Sequence, residues 1–406
     1  MTADILDRDA PAEPVGAGIW LRLLLAAARR IQCGTLIVVL PNGRALTMAG
    51  AVPGPEATLV LRRPGAARRI LLGGDLGFAE AFMDGDCDCP DLAALVELAV
   101  RNEAALARML RGRRLFQLAR RACHGWRRNS RAGSRRNIAH HYDLGNAFYA
   151  SWLDPTMTYS AAVYDRPNDD LAAAQTRKYE RMCQLLDLRP GQRVLEIGCG
   201  WGGFAEHAAR HHGVSVTGIT LSHEQHRFAV ERAHRTGLAD RIEIRLQDYR
   251  DVTGRFDRIA SIEMFEAVGE AYWSGYFARL KDLLVEGGRA ALQIITIAED
   301  RFESYRRNPD FIQKYIFPGG MLPSVPALRR LTADAGLAWR GDEGFATDYA
   351  LTLVDWRQRF QQAWPEINRL GFDERFRRMW DYYLCYCTAG FNHGAIDVRQ
   401  IALSRG

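Results

Sequence analysis

The sequence predicts an α/β protein built on a doubly wound, mostly parallel sheet, with a small α+β domain ahead of it. Three observations carry that expectation. From about residue 137 onward, short apolar runs alternate with helical patterns, the rhythm of βαβ units. One such run, Val194-Leu195-Glu196-Ile197, passes directly into the glycine-rich stretch Gly198-Cys199-Gly200-Trp201-Gly202-Gly203. The 406 residues are too many for one comfortable core, and 48% hydrophobic with 25% charged residues is a globular composition that excludes disordered and collagen-like chains.

In chain order, residues 1–15 read as a loose tail, with Pro11, Pro14 and no periodicity. Residues 16–110 read as the small α+β domain. It opens on an amphipathic helix from Ile19 to Arg30 and continues through β-type runs at Thr35–Leu40, Ala45–Met48, Thr58–Leu61 and Arg69–Leu72. Pro41-Asn42-Gly43 marks a turn, and Asp91 is placed to cap a helix running to Leu110. Residues 111–136 hold ten arginines and no acidic residue, with Leu115, Phe116, Leu118 and Trp126 among them. That stretch is either a solvated linker helix or a patch seeking anionic phosphate.

The domain from 137 to 406 should place strands at Arg193–Ile197, Ser215–Thr220, Ile242–Leu246, Phe256–Ile262 and Arg289–Ile295. An insertion at about 299–345, carrying Pro309, Pro318 and Pro323, reads as a helical lid over the sheet edge.

Composition narrows the partners. The net charge of +6 is too mild for a nucleic-acid binder, and nearly all of the basic residues are arginine, which pairs with phosphate as a fork. No run approaches the roughly 18 apolar residues of a membrane span, and the acidic first ten residues are wrong for a secretory signal. Neither Cys87/Cys89 nor Cys385/Cys387 completes a metal set by spacing, so reduced cytoplasmic thiols and no metal are expected.

A lone G-x-G-x-x-G is weak, but Glu196 on the strand before it can meet a cationic ligand, and the end of the next strand, Ile219-Thr220-Leu221-Ser222, lacks the acid that a nicotinamide cofactor needs for its ribose. The E-x-G-x-G-x-G form resembles the S-adenosylmethionine loop of Rossmann-like methyltransferases. Other motifs stand with it in order: His141-Tyr142-Asp143-Leu144-Gly145-Asn146, Met157-Thr158-Tyr159-Ser160, Gln247-Asp248-Tyr249-Arg250-Asp251, Met264-Phe265-Glu266 and Lys314-Tyr315-Ile316-Phe317-Pro318. Together they resemble the cyclopropane-fatty-acyl-phospholipid synthase family, relatives of the mycolic acid methyltransferases, over roughly 137–406.

The resemblance implies a Rossmann-like class I methyltransferase sheet with a helical lid. It also implies methyl transfer from S-adenosylmethionine to a cis double bond in a phospholipid acyl chain. It assigns Tyr159, Ser160, Gly198, Gly200, Thr220, Gln225, Gln247 and Asp248 to the cofactor. The family's base is a bicarbonate ion held by a Cys backbone, a Glu, a His, an Ile backbone and a Tyr. Glu266, Ile295 and Tyr349 match, but the Cys position reads Ala161 and the His position reads Gln293. Bicarbonate is therefore doubtful here. In its neighbourhood Glu263 appears where glycine is common, either as an exposed strand-end carboxylate, as an arginine's partner, or as a replacement base.

Glu263, Glu266, Tyr349 and Gln293 are the expected catalytic residues, and the product is either a cyclopropane or a methyl-branched chain. The expected partner is a membrane phospholipid met at the inner membrane face, with no nucleic acid and with a homodimer left open. A non-catalytic lipid-binding descendant and a nucleic-acid methyltransferase stand as the alternatives.

Overall fold

The computed structural model describes residues 18–110, 144–166 and 169–406. The expected tail at 1–15 and the arginine stretch at 111–136 lie outside the described residues, as do His141, Tyr142 and Asp143. The described residues form two compact units: residues 18–110 together with 373–386, and the remainder.

The first unit opens with the helix Ile19–Ala28. Its four-stranded sheet runs in the order β2-β1-β3-β4, with β1 Cys33–Val39, β2 Ala45–Ala49, β3 Val52–Leu61 and β4 Cys87–Asp88. The turn at Pro41-Asn42-Gly43 joins β1 to β2 antiparallel, with Gly43 at a φ of 82°.

Two expectations for this unit need correction. Arg69–Leu72 is not a strand but part of the helix Gly65–Met83. Its β-type character is overridden by the helical spacing of the buried Ala67 and Leu71, and Arg69 turns out to meet Asp84 and Asp86. The single helix expected from Asp91 to Leu110 is two, Leu92–Arg101 and Glu103–Leu110. Asp91 caps the first by accepting from Ala94 N–H at 3.0 Å. Asn102 breaks the pair because its buried amide accepts from Gln32 and Cys33 N–H and donates to Cys33 C=O.

The second unit is a seven-stranded sheet in the order β10-β11-β9-β8-β5-β6-β7. Its strands are β5 Arg193–Ile197, β6 Ser215–Thr220, β7 Ile242–Leu246, β8 Phe256–Ile262, β9 Leu284–Ile297, β10 Leu337–Gly344 and β11 Ile396–Arg405. The five strands from β5 to β9 are parallel neighbours, and β11 runs antiparallel to both β9 and β10. β10 falls inside the segment expected as a lid, and it forms the sheet edge.

Both faces of β5 are buried, as a central parallel strand requires. Val194 packs with the helices Leu171–Leu186 and Gly203–His212, while Leu195 and Ile197 pack with Trp273–Leu283 and Val325–Asp334. Strand order reverses between β5 and β8, so a crevice opens beyond the carboxyl ends of those two strands. No helix among the described residues is long and apolar enough to cross a membrane.

Candidate active site

The crevice is built first by backbone. Gly198, Gly200 and Gly202 all take positive φ, at 83°, 53° and 80°, so the chain turns sharply from β5 into the helix Gly203–His212. A Cβ on Gly198 would lie 2.7 Å from Met264 Cγ, whereas a Cβ on Gly200, which lines the cleft, would meet nothing among the described residues within 4 Å.

The cleft is lined by Tyr159, Ser160, Glu196, Gly198, Gly200, Thr220, Gln225, Gln247 and Glu263. Seven of the eight residues expected at the cofactor therefore share one cavity. Asp248 does not line it: its carboxylate faces Arg250 through two contacts of 2.8 and 2.6 Å.

The cleft's electrostatics call for a cation. Glu196 is 3% exposed, and its Oε2 has no hydrogen-bond partner among the described residues. Burial pushes its carboxyl well above the usual range, with Lys178 and Arg232 acting in the opposite sense. An unsatisfied buried acid beside an open glycine cradle fits a cofactor that carries positive charge, as S-adenosylmethionine does. Thr220 Oγ1 donates to Gln225 Oε1 at 2.8 Å, and Gln247 Nε2 donates to Asp251 C=O at 2.9 Å, so both side chains are preset along the cleft wall.

Glu263 closes the end of the cleft. Its backbone φ is 48°, a left-handed value that explains why a glycine suits this position. Its Oε1 accepts from Ala161 N–H at 2.8 Å and from Gln293 Nε2 at 2.7 Å, and its Oε2 accepts from Tyr349 Oη at 2.7 Å. Glu263 is thus neither a free strand-end carboxylate nor an arginine's partner.

Glu266 sits alongside, its Oε1 accepting from Ile295 N–H at 2.5 Å and its Oε2 without a partner among the described residues. Burial pushes the Glu266 carboxyl up to about 8, and the nearby Glu263 charge adds to that rise. Burial also raises Glu263, against the lowering effect of the Tyr349, Ala161 and Gln293 donors and of the Lys178 charge. Near neutral pH Glu266 therefore holds its proton, while three donors and the Lys178 charge favour the ionised form of Glu263.

Three contributors escape sequence reasoning. Lys178 is fully buried on the helix Leu171–Leu186 and donates to Ser160 Oγ at 2.6 Å, while Gln175 on the same helix donates to Ser160 C=O at 2.8 Å. Burial depresses Lys178 to about 8, and the Glu263 charge opposes that fall. Gln400 on β11 donates to Gln293 Oε1 at 2.9 Å and so directs the Gln293 amide nitrogen toward Glu263. Helix periodicity makes Lys178 look like any surface lysine, and β11 carries no motif.

A glycine loop after the first parallel strand, a cation-seeking acid at its edge and a covered cleft at the switch point define a class I S-adenosylmethionine-dependent methyltransferase. Residues 129–401 match the family described as mycolic acid cyclopropane synthetase, and the chain belongs to that family.

It is 41% identical to the tuberculostearic acid methyltransferase UfaA1 of Mycobacterium tuberculosis, over 97% of this chain and 93% of that protein. It is 38% identical to the cyclopropane-fatty-acyl-phospholipid synthase of Escherichia coli, over 89% of this chain and 90% of that protein. Among solved structures it resembles the mycolic acid cyclopropane synthase CmaA1 complexed with SAH and CTAB, with a TM-score of 0.63, 30% identity, 67% of this chain and 98% of that one covered. The family match and these relatives support the lipid-modifying enzyme over the nucleic-acid methyltransferase and the non-catalytic descendant.

Replacing Gly200 by Val puts a branched side chain into the cradle. Calorimetric titration with S-adenosylhomocysteine should show affinity lost by at least about a hundredfold in a variant whose circular dichroism is unchanged. Wild-type affinity would remove the loop from the cofactor site.

Proposed function

We propose that this methyltransferase methylates a double-bond carbon of an unsaturated phospholipid acyl chain, with Glu263 as the base, and releases a methyl-branched chain with a relocated double bond. The observation that carries this reading is the threefold grip on the Glu263 carboxylate by Ala161 N–H, Gln293 and Tyr349. Those are the positions at which the family resemblance implies a bicarbonate ion, so a covalently attached carboxylate substitutes for the free one.

Bound S-adenosylmethionine supplies the methyl group as an electrophile. An alkene is a weak nucleophile, so the acyl chain must be held within about 3–3.5 Å of that carbon. The new C–C bond leaves a cation on the neighbouring chain carbon. The rings of Tyr159, Trp356 and Tyr349, packed at centroid separations of 5.2 and 6.1 Å, are suited to exclude water and face such a cation.

Glu263 then accepts a proton from the adjacent chain methylene, and the electron pair of that C–H bond becomes the relocated double bond. Glu266, holding its own proton, does not compete for it. The 41%-identical mycobacterial relative is named a methyltransferase, not a cyclopropane synthase, which supports the branched outcome. A second reading, in which Glu263 removes a proton from the delivered methyl and a ring closes, is favoured by the synthase name of the 38%-identical relative.

The reading extends to a peripheral position on the inner face of the membrane. Ten arginines without an acid at 111–136 support it, since each cation near an acidic lipid surface contributes about 1 kcal/mol.

Three measurements check these points. Glu263→Gln should lower turnover by orders of magnitude, and added bicarbonate should leave the wild type unchanged; a bicarbonate-dependent wild type overturns the base assignment. Cyclopropane proton resonances in the extracted lipid would select the ring instead.

For Tyr349→Phe the sign follows from the hydrogen bond. The hydroxyl lowers the Glu263 pKa, its loss raises it, and the ionised fraction at a given pH falls. The acid limb of kcat/KM should therefore move to higher pH. On that limb, activity at a fixed pH falls about tenfold for each pH unit the limb travels. An unmoved limb would separate Tyr349 from the base.

Replacing Arg127, Arg128, Arg135 and Arg136 with glutamine should weaken sedimentation with anionic vesicles, most visibly at low salt. Unchanged binding favours the plain linker.

A further inference from the structure

Away from the cleft, the helices Leu171–Leu186 and Gly203–His212 face each other through a cluster that the reaction does not use. Glu180 and Cys183 are three apart on the first helix and so share one face. His207 and His212 come from the second, with His212 closing its last turn. Both imidazoles aim Nε2 at a single oxygen, Glu180 Oε2, at 3.2 and 3.0 Å. The Cys183 sulfur and the two imidazole ligand nitrogens all lie within 4.8 Å of one another. Cys183 is 0% exposed, and the His207 and His212 side chains are 10% and 20% exposed.

We propose that Cys183, His207 and His212, with Glu180 as the fourth ligand, form a structural site for a borderline-soft divalent cation of the zinc type. The donor set is two imidazole nitrogens, one sulfur and one carboxylate oxygen, the mixture that tetrahedral zinc accepts. Bond lengths of about 2.0–2.3 Å put tetrahedral donors roughly 3.3–3.8 Å apart, so the imidazole–carboxylate spacings of 3.2 and 3.0 Å nearly fit, while the sulfur–imidazole spacings, within 4.8 Å, close by at most about 1 Å. His212, at a helix end and partly exposed, has the freedom to provide that movement.

Both histidines now point their Nε2 atoms at one acceptor, and a cation held there would take both lone pairs while the ring protons shift to Nδ1. The carboxyl end of the helix Gly203–His212 favours positive charge at this point.

The position suits a staple. The first helix holds Ser160 through Gln175 and Lys178, and the second begins at the end of the glycine loop. A cation bridging them ties together, from behind, the two elements that wall the cofactor cleft. The spacing of cysteines in the sequence predicts no metal set, because these donors are brought together only by helix packing.

The test uses the full chain stripped of metal and titrated with Co²⁺. One equivalent should bind with a thiolate-to-cobalt charge-transfer band in the near ultraviolet, Zn²⁺ should displace it, and Zn²⁺ should raise the Tm by several degrees. Cys183→Ser should abolish the band. His212→Asn and Glu180→Gln, both at partly exposed positions, should weaken Co²⁺ binding at least tenfold while preserving the fold. Absence of a stoichiometric band in the wild type overturns the proposal. So does a band that persists undiminished in Cys183→Ser, or Co²⁺ affinity unchanged in both His212→Asn and Glu180→Gln.

Discussion

A carboxylate at the end of a buried strand must find its hydrogen bonds in protein rather than water, and Glu263 imposes that requirement on this site. Its donors come from three separate elements: the loop at Ala161, β9 at Gln293 and the helix Ala346–Arg369 at Tyr349. Each donor is itself held. Lys178 and Gln175 fix the residue before Ala161, Gln400 orients Gln293, and the Tyr349 ring packs against Phe391 at 4.4 Å. A non-glycine residue in the left-handed region costs on the order of 1–2 kcal/mol and persists only where its surroundings over-determine it. The grip on the carboxylate meets that condition.

The same requirement shapes the charge balance of the cleft. Three carboxylates, Glu196, Glu263 and Glu266, are gathered with Lys178, an ammonium whose own burial pulls its pKa down to about 8. Buried like charges repel strongly in a medium of low dielectric, so the set is relieved either by a proton or by an incoming cation. Glu266 takes the proton. Burial pushes Glu196 toward its protonated form as well, and with one oxygen unsatisfied among the described residues at the glycine loop it is the group whose ionised form a positively charged cofactor would favour. Cofactor binding and the ionisation of Glu263 are therefore coupled through one electrostatic network that runs from the loop to the strand end.

Local pattern makes much of this legible. β5 to β8 lie where alternation and glycine punctuation predict them, because parallel core strands are short apolar runs with turn signals at both ends. Glu263 stands out only against the family resemblance, as a carboxylate where that family commonly has glycine, a signal that lies in a single residue. Lys178 and Gln400 do not stand out, because their contacts are made through packing between elements far apart in sequence. β10 and β11 are hidden for a related reason: an antiparallel edge pair with mixed burial has no clean period. The run Arg69–Leu72 misleads because apolar, β-favouring residues also fill a helix face when the flanking residues repeat at helical spacing.

The three departures from the family's bicarbonate site form one coherent change. A free anion is well served by a histidine, which can donate and carry positive charge toward it. Beside a carboxylate fixed to the backbone, a histidine would ionise, pair with it and depress its basicity. Gln293 donates one neutral N–H to Glu263 and cannot take the proton away, so the carboxylate retains the raised pKa that burial confers. Ala161 in place of cysteine changes nothing at the contact, because only the backbone N–H reaches the carboxylate. Under the proposed function, losing histidine and gaining glutamate are thus linked physically: the first keeps the second basic, and the second takes the place of the ion that the first would hold.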